Sequence, residues 1–233
     1  MFTKDVQSYA TDNWRQFLKP ISELSKTGKG TSLVESSEEL YSFDDICKSF
    51  YKNKKVPTSA DALRVTNRTV EFVEFKSGFK QRITKNNFDS EKGRCDALKE
   101  VCEDYWNKFF ELQKANKAEL IYVIRLKALE SYITLEKQIL PLCQDTTAYV
   151  SLKLIVVIDG DAVDSMEDTL SGLAGKEPPE GNSISDVKKA LIRLTNLRDA
   201  ENNPYLYDCI EVLSAQDYLN KLKAKNNKVR SLV

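Results

Sequence analysis

The stretch TVEFVEFKSG, residues 69–78, sets three charges into a run of β-branched and aromatic residues suited to a buried strand. Strict alternation places Val70, Phe72, Glu74 and Lys76 on one face and Glu71, Val73 and Phe75 on the other. A charge on a half-buried strand face costs on the order of several kcal/mol unless something compensates it. Either the strand lies at a sheet edge with its charges solvated, or Glu74 holds something cationic.

Immediately upstream, DALRVT (61–66) is a second strand candidate, and Asn67-Arg68 between the two is short enough for a tight hairpin turn. Asp61 opens the first strand, thirteen positions before Glu74. A hairpin lays the start of one strand beside the end of the other, so Asp61 and Glu74 can meet. Two carboxylates at one point repel unless a cation lies between them. Mg²⁺ suits that place, taking the two carboxylates, a backbone carbonyl such as that of Phe75, waters and a phosphate oxygen. Mn²⁺ is the alternative ion. Lys76, about one pleat further on, is placed to orient or deprotonate a water, or to stabilise charge developing on phosphorus. Asp61, Glu74 and Lys76 are therefore the candidate catalytic residues, and Asp61, Glu74 and Phe75 the candidate metal ligands.

At these residues the sequence resembles the PD-(D/E)xK nuclease superfamily: SAD at 59–61, then EFK at 74–76, with a helix expected on either side. The resemblance spans residues 37–158. It implies a restriction-endonuclease-like core that presents an Asp, a Glu-x-Lys and a divalent metal, and it favours DNA over RNA as the substrate. It also implies an acidic residue on the preceding helix, for which Glu38 and Glu39 are the candidates. A polar residue on the following helix is implied too, with Lys137 and Gln138 as candidates.

The hairpin sits in a basic part of a chain whose formal net charge is zero. Residues 48–94 carry twelve Lys/Arg against five Asp/Glu, whereas residues 150–220 carry six against thirteen. A local basic surface is what a phosphate backbone needs, even on a neutral protein. Lys52, Lys54, Lys55, Arg64, Arg68, Lys80 and Arg82 are the candidate nucleic-acid contacts. The competing account is that such a run is a solvated face.

The remaining elements follow from periodicity. An amphipathic segment runs over about 6–24, kinked at Pro20. Ser36 and Glu39 have the spacing of a capping box, and Leu40, Phe43, Cys47, Phe50 and Tyr51 recur at helical spacing, so a helix is expected over 37–52. Two apolar stripes between 92 and 140 read as a helical pair that stops before Pro141. VSLKLIVVIDGD (150–161) contains a buried strand, with Asp161 read as a helix cap. GKEPPEGNS (175–183) reads as an exposed loop. A helix over 185–198, a strand YDCIEVLS (207–214) and a last helix capped by Ser214 complete the chain. The pattern is α/β: one domain over 1–233 with a mixed central sheet flanked by helices and a helical-pair insertion. Residues 1–35 read as a helical extension, 37–158 as the motif-bearing core, and 159–233 as the C-terminal strand and helices.

Composition narrows the chemistry. There is no histidine, which removes Ser-His-Asp and Cys-His catalysis and nearly every structural zinc site. The five cysteines are odd in number and form no CxxC, so they read as small buried hydrophobes. Trp14 and Trp106 could stack on nucleobases, but their helical context favours the core. No apolar run approaches a membrane span, and the first residues lack a signal-peptide core, so a cytoplasmic protein is expected. The resulting expectation is a metal-dependent nuclease acting on DNA in restriction, repair, recombination or phage defence. The alternative is a catalytically idle nuclease-like fold that binds nucleic acid or protein, with the helical pair as the surface for a protein partner or a second copy.

Overall fold

The hairpin forms as the alternation requires. In the computed structural model, β3 (Ala62–Thr66) and β4 (Thr69–Lys76) pair antiparallel, with Ala62 opposite Val73 and Val65 opposite Val70. The structure describes residues 6–52, 55–66, 69–79, 99–143, 150–159, 182–196 and 206–230, with backbone only for 99–110, 112–114, 193, 196 and 225–230. The Asn67-Arg68 turn, the Asp161 cap and all of the 175–183 loop except Asn182 and Ser183 lie outside the described residues.

These strands are the middle of a six-stranded mixed sheet in sequential order. Upstream, β1 (Leu18–Pro20) and β2 (Glu39–Ser42) extend it antiparallel from β3. Downstream, β5 (Ser151–Ile158) and β6 (Cys209–Ser214) run parallel to β4. Parallel neighbours need crossovers, and helices supply them. Between β4 and β5 lies α4 (Lys99–Thr134), and between β5 and β6 lie α5 (Ser183–Leu191) and the short α6 (Arg193–Asn196). The remaining helices are α1 (Val6–Asn13), α2 (Ile21–Leu24), α3 (Phe43–Phe50) and α7 (Ala215–Arg230).

Both sheet faces are covered. Leu63, Val70, Phe72, Leu154, Val156 and Ile158 face a core built with α1, α3, α4 and α5. Ala62, Val73, Phe75, Ile155 and Val157 face a smaller core closed by Tyr218 and Leu222 of α7 and by Ile21 and Val34. The strand β4 is therefore interior and buried on both sides, which rules out the solvated-edge account of Glu74. Its neighbour β5 is covered in the same way, which is why it reads as the unbroken apolar run LIVVI.

Four expected elements differ. The helix expected over 6–24 ends at Asn13. A 3₁₀ turn (Arg15–Phe17) then leads into β1, whose last residue, Pro20, has no amide to donate and is tolerated in an edge strand. The helix expected over 37–52 begins only at Phe43, because 39–42 pair with both neighbours as β2. No capping box forms there: Ser36 Oγ instead accepts from the Glu38 amide at 3.2 Å. The helical pair is a single helix, α4, of 36 residues, continued by a π turn (Leu135–Ile139) and a 3₁₀ turn (Leu140–Leu142). With no Gly or Pro between 94 and 140, nothing in the chain breaks it, and the two stripes belong to one rod. Over 185–198, the helix starts at Ser183, capped by Asn182, and divides at Ile192 into α5 and α6. The last helix starts as expected, with the Asp217 amide donating to Ser214 Oγ at 3.1 Å.

Candidate functional site

Asp61, the residue before β3, and Glu74, near the end of β4, do come together, and a cation lies between them. It is the Lys127 ammonium, brought by α4 across the sheet face. Lys127 Nζ donates to Asp61 Oδ1 at 2.8 Å and to Glu74 Oε2 at 2.9 Å. It also lies 2.9 Å from Glu74 Oε1, but without hydrogen-bond geometry, so that buried oxygen has no hydrogen bond of its own. Glu74 is 1% exposed. Asp61 and Lys127 keep 25% and 20% of their side-chain surface. The other Asp61 oxygen, Oδ2, accepts from the Phe75 amide at 2.8 Å and so ties the carboxylate to the hairpin.

Three further contacts hold α4 against the segment leading to Asp61. Glu130 Oε2 accepts from both the amide and the hydroxyl of Thr58. Ser131 Oγ accepts from the Ala60 amide at 2.8 Å. Lys127, Glu130 and Ser131 follow the three- and four-residue spacing of one helix face. On the other side of the site, the end of β4 is anchored by Asp159, which follows β5. Its carboxylate accepts from the amides of Gly78 and Phe79, both at 2.8 Å. Gly78 takes a φ of +109°, a conformation that favours glycine and sets the turn leaving Lys76. Asp159 therefore has a definite local task, as an acceptor for that turn.

Protonation follows from this geometry. Burial first, and then the Asp61 charge, push the Glu74 carboxyl up to about 8, against the opposing pull of Lys127 and Lys76. Burial pulls Lys127 down, but the charges of Glu74 and Asp61 outweigh it and the net shift is upward. Lys127 thus stays charged, and Glu74 is the group that titrates near neutrality. Between its ordinary value of 4.5 and about 8, the folded state holds a proton that the unfolded chain has released. Stability contributed by Glu74 is therefore present below 4.5 and is lost as pH rises through 8. Thermal unfolding from pH 5 to 9 is expected to show a falling Tm, with a flatter slope in Glu74→Gln. An equal slope in that variant would place the pH dependence elsewhere.

The site opens into a cleft of about 470 Å³ whose walls include Asp61, Lys127, Lys19, Asp44, Asp45 and Lys48. Its charges alternate: Lys19 pairs with Asp45 at 2.8 Å, Lys48 with Asp44, and Lys127 with Asp61. Lys76 lies half-buried at the end of β4, on the Glu74 face as the alternation requires. Its charge is felt at Glu74.

The accessory candidates lie elsewhere. Glu38 pairs with Arg64 at 2.7 Å, and Arg64 also approaches Glu71 at 3.6 Å. That network includes the neighbourhood of Tyr218 of α7, so it lies on the sheet face opposite Lys127. Arg64 is consequently engaged within the protein and is not a free phosphate contact. Glu39 is exposed in β2, not in a helix. The helix-borne acidic residues of the cleft are instead Asp44 and Asp45, in the first turn of α3, with Ser59 Oγ donating to Asp44 at 3.4 Å. Lys137 and Gln138 are exposed in the π turn, about 15 Å beyond Lys127 along the axis, and Lys137 pairs with Glu136. The helix-borne polar residue at the carboxylates is Lys127. Of the basic candidates, Lys52 and Lys55 are exposed, while Lys54, Arg68, Lys80 and Arg82 lie outside the described residues. Trp14 is buried edge-on against Tyr9 and Tyr41 and has no face for a base; the Trp106 side chain is outside the described set.

Lys127 had a signal in the sequence. It stands three residues after Ile124 and four before Ser131, on the buried stripe of α4, where a lysine is as anomalous as Glu74 is in β4. Two misplaced charges of opposite sign on buried faces are a pairing signal.

No family model, curated protein or solved structure matches this chain. Among the described residues, no three His, Cys, Asp or Glu side chains are gathered as a ready metal cage. No described helix is long and apolar enough to cross a membrane.

Proposed function

We propose that the chain is a metal-dependent nuclease that hydrolyses phosphodiester bonds in DNA, with Asp61, Glu74 and Lys76 as its working residues. The observation that carries this reading is the convergence of Asp61 and Glu74 at one end of the sheet, near Lys76, with Asp61 lining a polar cleft. The donor set fits a hard cation: two carboxylates, one with a buried oxygen lacking a hydrogen bond, and Phe75, whose amide is bonded to Asp61 and whose carbonyl is the proposed third donor. Asp61, Glu74 and that carbonyl would hold Mg²⁺ or Mn²⁺, which when bound supplies a Lewis acid and acidifies water. Lys76 would add a cation where negative charge develops on the oxygens of the phosphoryl group. Asp61, fixed by the Phe75 amide, needs no rearrangement to keep its place. This chemistry needs no histidine, in keeping with a chain that has none. DNA, and not RNA, rests on the PD-(D/E)xK resemblance.

A second reading has its own support. Lys127 pairs with both carboxylates within the protein, which supports a purely structural triad in a fold that binds nucleic acid or protein without cutting it. Cleavage assays separate the two. Supercoiled plasmid, linear duplex, single-stranded DNA and RNA are incubated with wild type and Glu74→Gln in Mg²⁺ or Mn²⁺. Nicked or linearised plasmid indicates an endonuclease, and digestion from ends an exonuclease. The nuclease reading expects cleavage by wild type and none by Glu74→Gln, with DNA affinity that falls steeply with added salt in both. No cleavage of any substrate, or equal cleavage by the variant, leaves the binding-module reading.

A further inference from the structure

The bridging position of Lys127 bears on how such a site would load. We infer that Lys127 is a built-in competitor for the metal: its ammonium occupies the point between Asp61 and Glu74 that a divalent cation would take, and must leave before the cation is fully ligated. This rests on the metal-site reading above and adds its regulation.

Three observations converge. Nζ lies 2.8 Å from Asp61 and 2.9 Å from either oxygen of Glu74, so no space remains between the carboxylates for a second cation. Glu74 is 1% exposed, and its Oε1 is buried without a hydrogen bond. A univalent donor therefore leaves acceptor capacity unused that a divalent ion would engage. Lys127 also has somewhere to go: it lines the cleft and keeps 20% of its side-chain surface, and its flexible stem can carry the ammonium outward without moving α4. Asp44, which lines the same cleft, is an acceptor on that side. Because the ammonium and the metal exclude one another, each weakens the binding of the other by the same factor. Lys127 would thus hold the metal-free protein together and set the metal concentration at which it becomes active. A substrate phosphate entering the cleft could draw the ammonium away and so couple metal loading to substrate.

The test measures binding, not cleavage. Mn²⁺ affinity of the full chain is read from the signal of free Mn²⁺ by electron paramagnetic resonance, for wild type, Lys127→Met and Glu74→Gln. Lys127→Met is expected to bind roughly 5- to 150-fold more tightly than wild type. Glu74→Gln is expected to lose the site. In parallel, wild type is treated with an amine-acylating reagent with and without Mn²⁺. Mass spectrometry is expected to show acylation of Lys127 rising several-fold on metal addition while exposed lysines such as Lys52 stay constant. This second measurement decides the question even if Lys127→Met does not fold. Equal or weaker binding by Lys127→Met, or unchanged Lys127 acylation in metal-loaded wild type, overturns the inference and leaves the metal site standing. If neither wild type nor Lys127→Met takes up Mn²⁺ at millimolar concentration, the metal-site reading itself fails and the inference with it.

Discussion

Replacing Lys127 by Met is expected to lower folding stability by roughly 3–5 kcal/mol at pH 9.5, where Glu74 is ionised in the wild type, the cost of stranding a buried charge by removing its partner. Lys127 supplies the only hydrogen bond to the Glu74 carboxylate among the described residues, through a side chain whose own charge is held by the two carboxylates. Removing it leaves Glu74 buried beside Asp61, with like charges facing one another and only Lys76 to offset them. The loss should shrink as pH falls below 8, because Glu74 then carries a proton with or without Lys127 and the penalty disappears. The double variant Lys127→Met/Glu74→Gln should recover much of the stability at pH 9.5, since no buried charge is left unpaired. Urea unfolding of the four proteins at pH 6 and pH 9.5 measures all of this as one cycle. A Lys127→Met protein as stable as wild type at pH 9.5 would show that the Lys127–Glu74 pair contributes nothing to the fold.

If the chain cleaves DNA as proposed, replacing Lys76 by Ala is expected to reduce cleavage by roughly two to four orders of magnitude while leaving DNA affinity nearly intact. Lys76 is the last residue of β4, on the Glu74 face, and makes no ion pair among the described residues. Its removal would take a cation away from the place the proposed reaction assigns to the phosphoryl group, and leaves Asp61 and Glu74 in the chain. One phosphate contact among many is a small part of affinity, so binding measured by fluorescence anisotropy should hardly change. The turn after Lys76 stays anchored by Asp159, so loss of activity in Lys76→Ala would not come from loss of that turn. Cleavage by Lys76→Ala at the wild-type rate would remove this lysine from the chemistry. A fall in binding to match the fall in rate would make it a contact residue only.

What the sequence determined by itself is what short-range physics controls. Alternation over 69–76 specified both faces of β4, and the short connection at 67–68 brought Asp61 beside Glu74. The apolar run at 154–158 announced a strand covered on both faces, and Ser214 announced the start of α7. Each of these depends on neighbours a few residues apart. Patterns that two structures can share were misleading: Leu40 and Phe43 fit a helix spacing, yet residues 39–42 gain more from backbone pairing with β1 and β3 than from a first helical turn. Two stripes separated by polar residues looked like two helices, yet with no breaker between them the chain continued as one. The tertiary structure alone decided what compensates Glu74. The partner lies 53 residues away in the chain, and only the path of the 36-residue α4 across the sheet sets Lys127 against both carboxylates. It also sent Glu38 and Arg64 to the opposite face and put Asp44 in the cleft. A buried charge tells from sequence that a counter-charge is needed, because desolvation is a property of the residue. Which group supplies it is a property of where the chain returns.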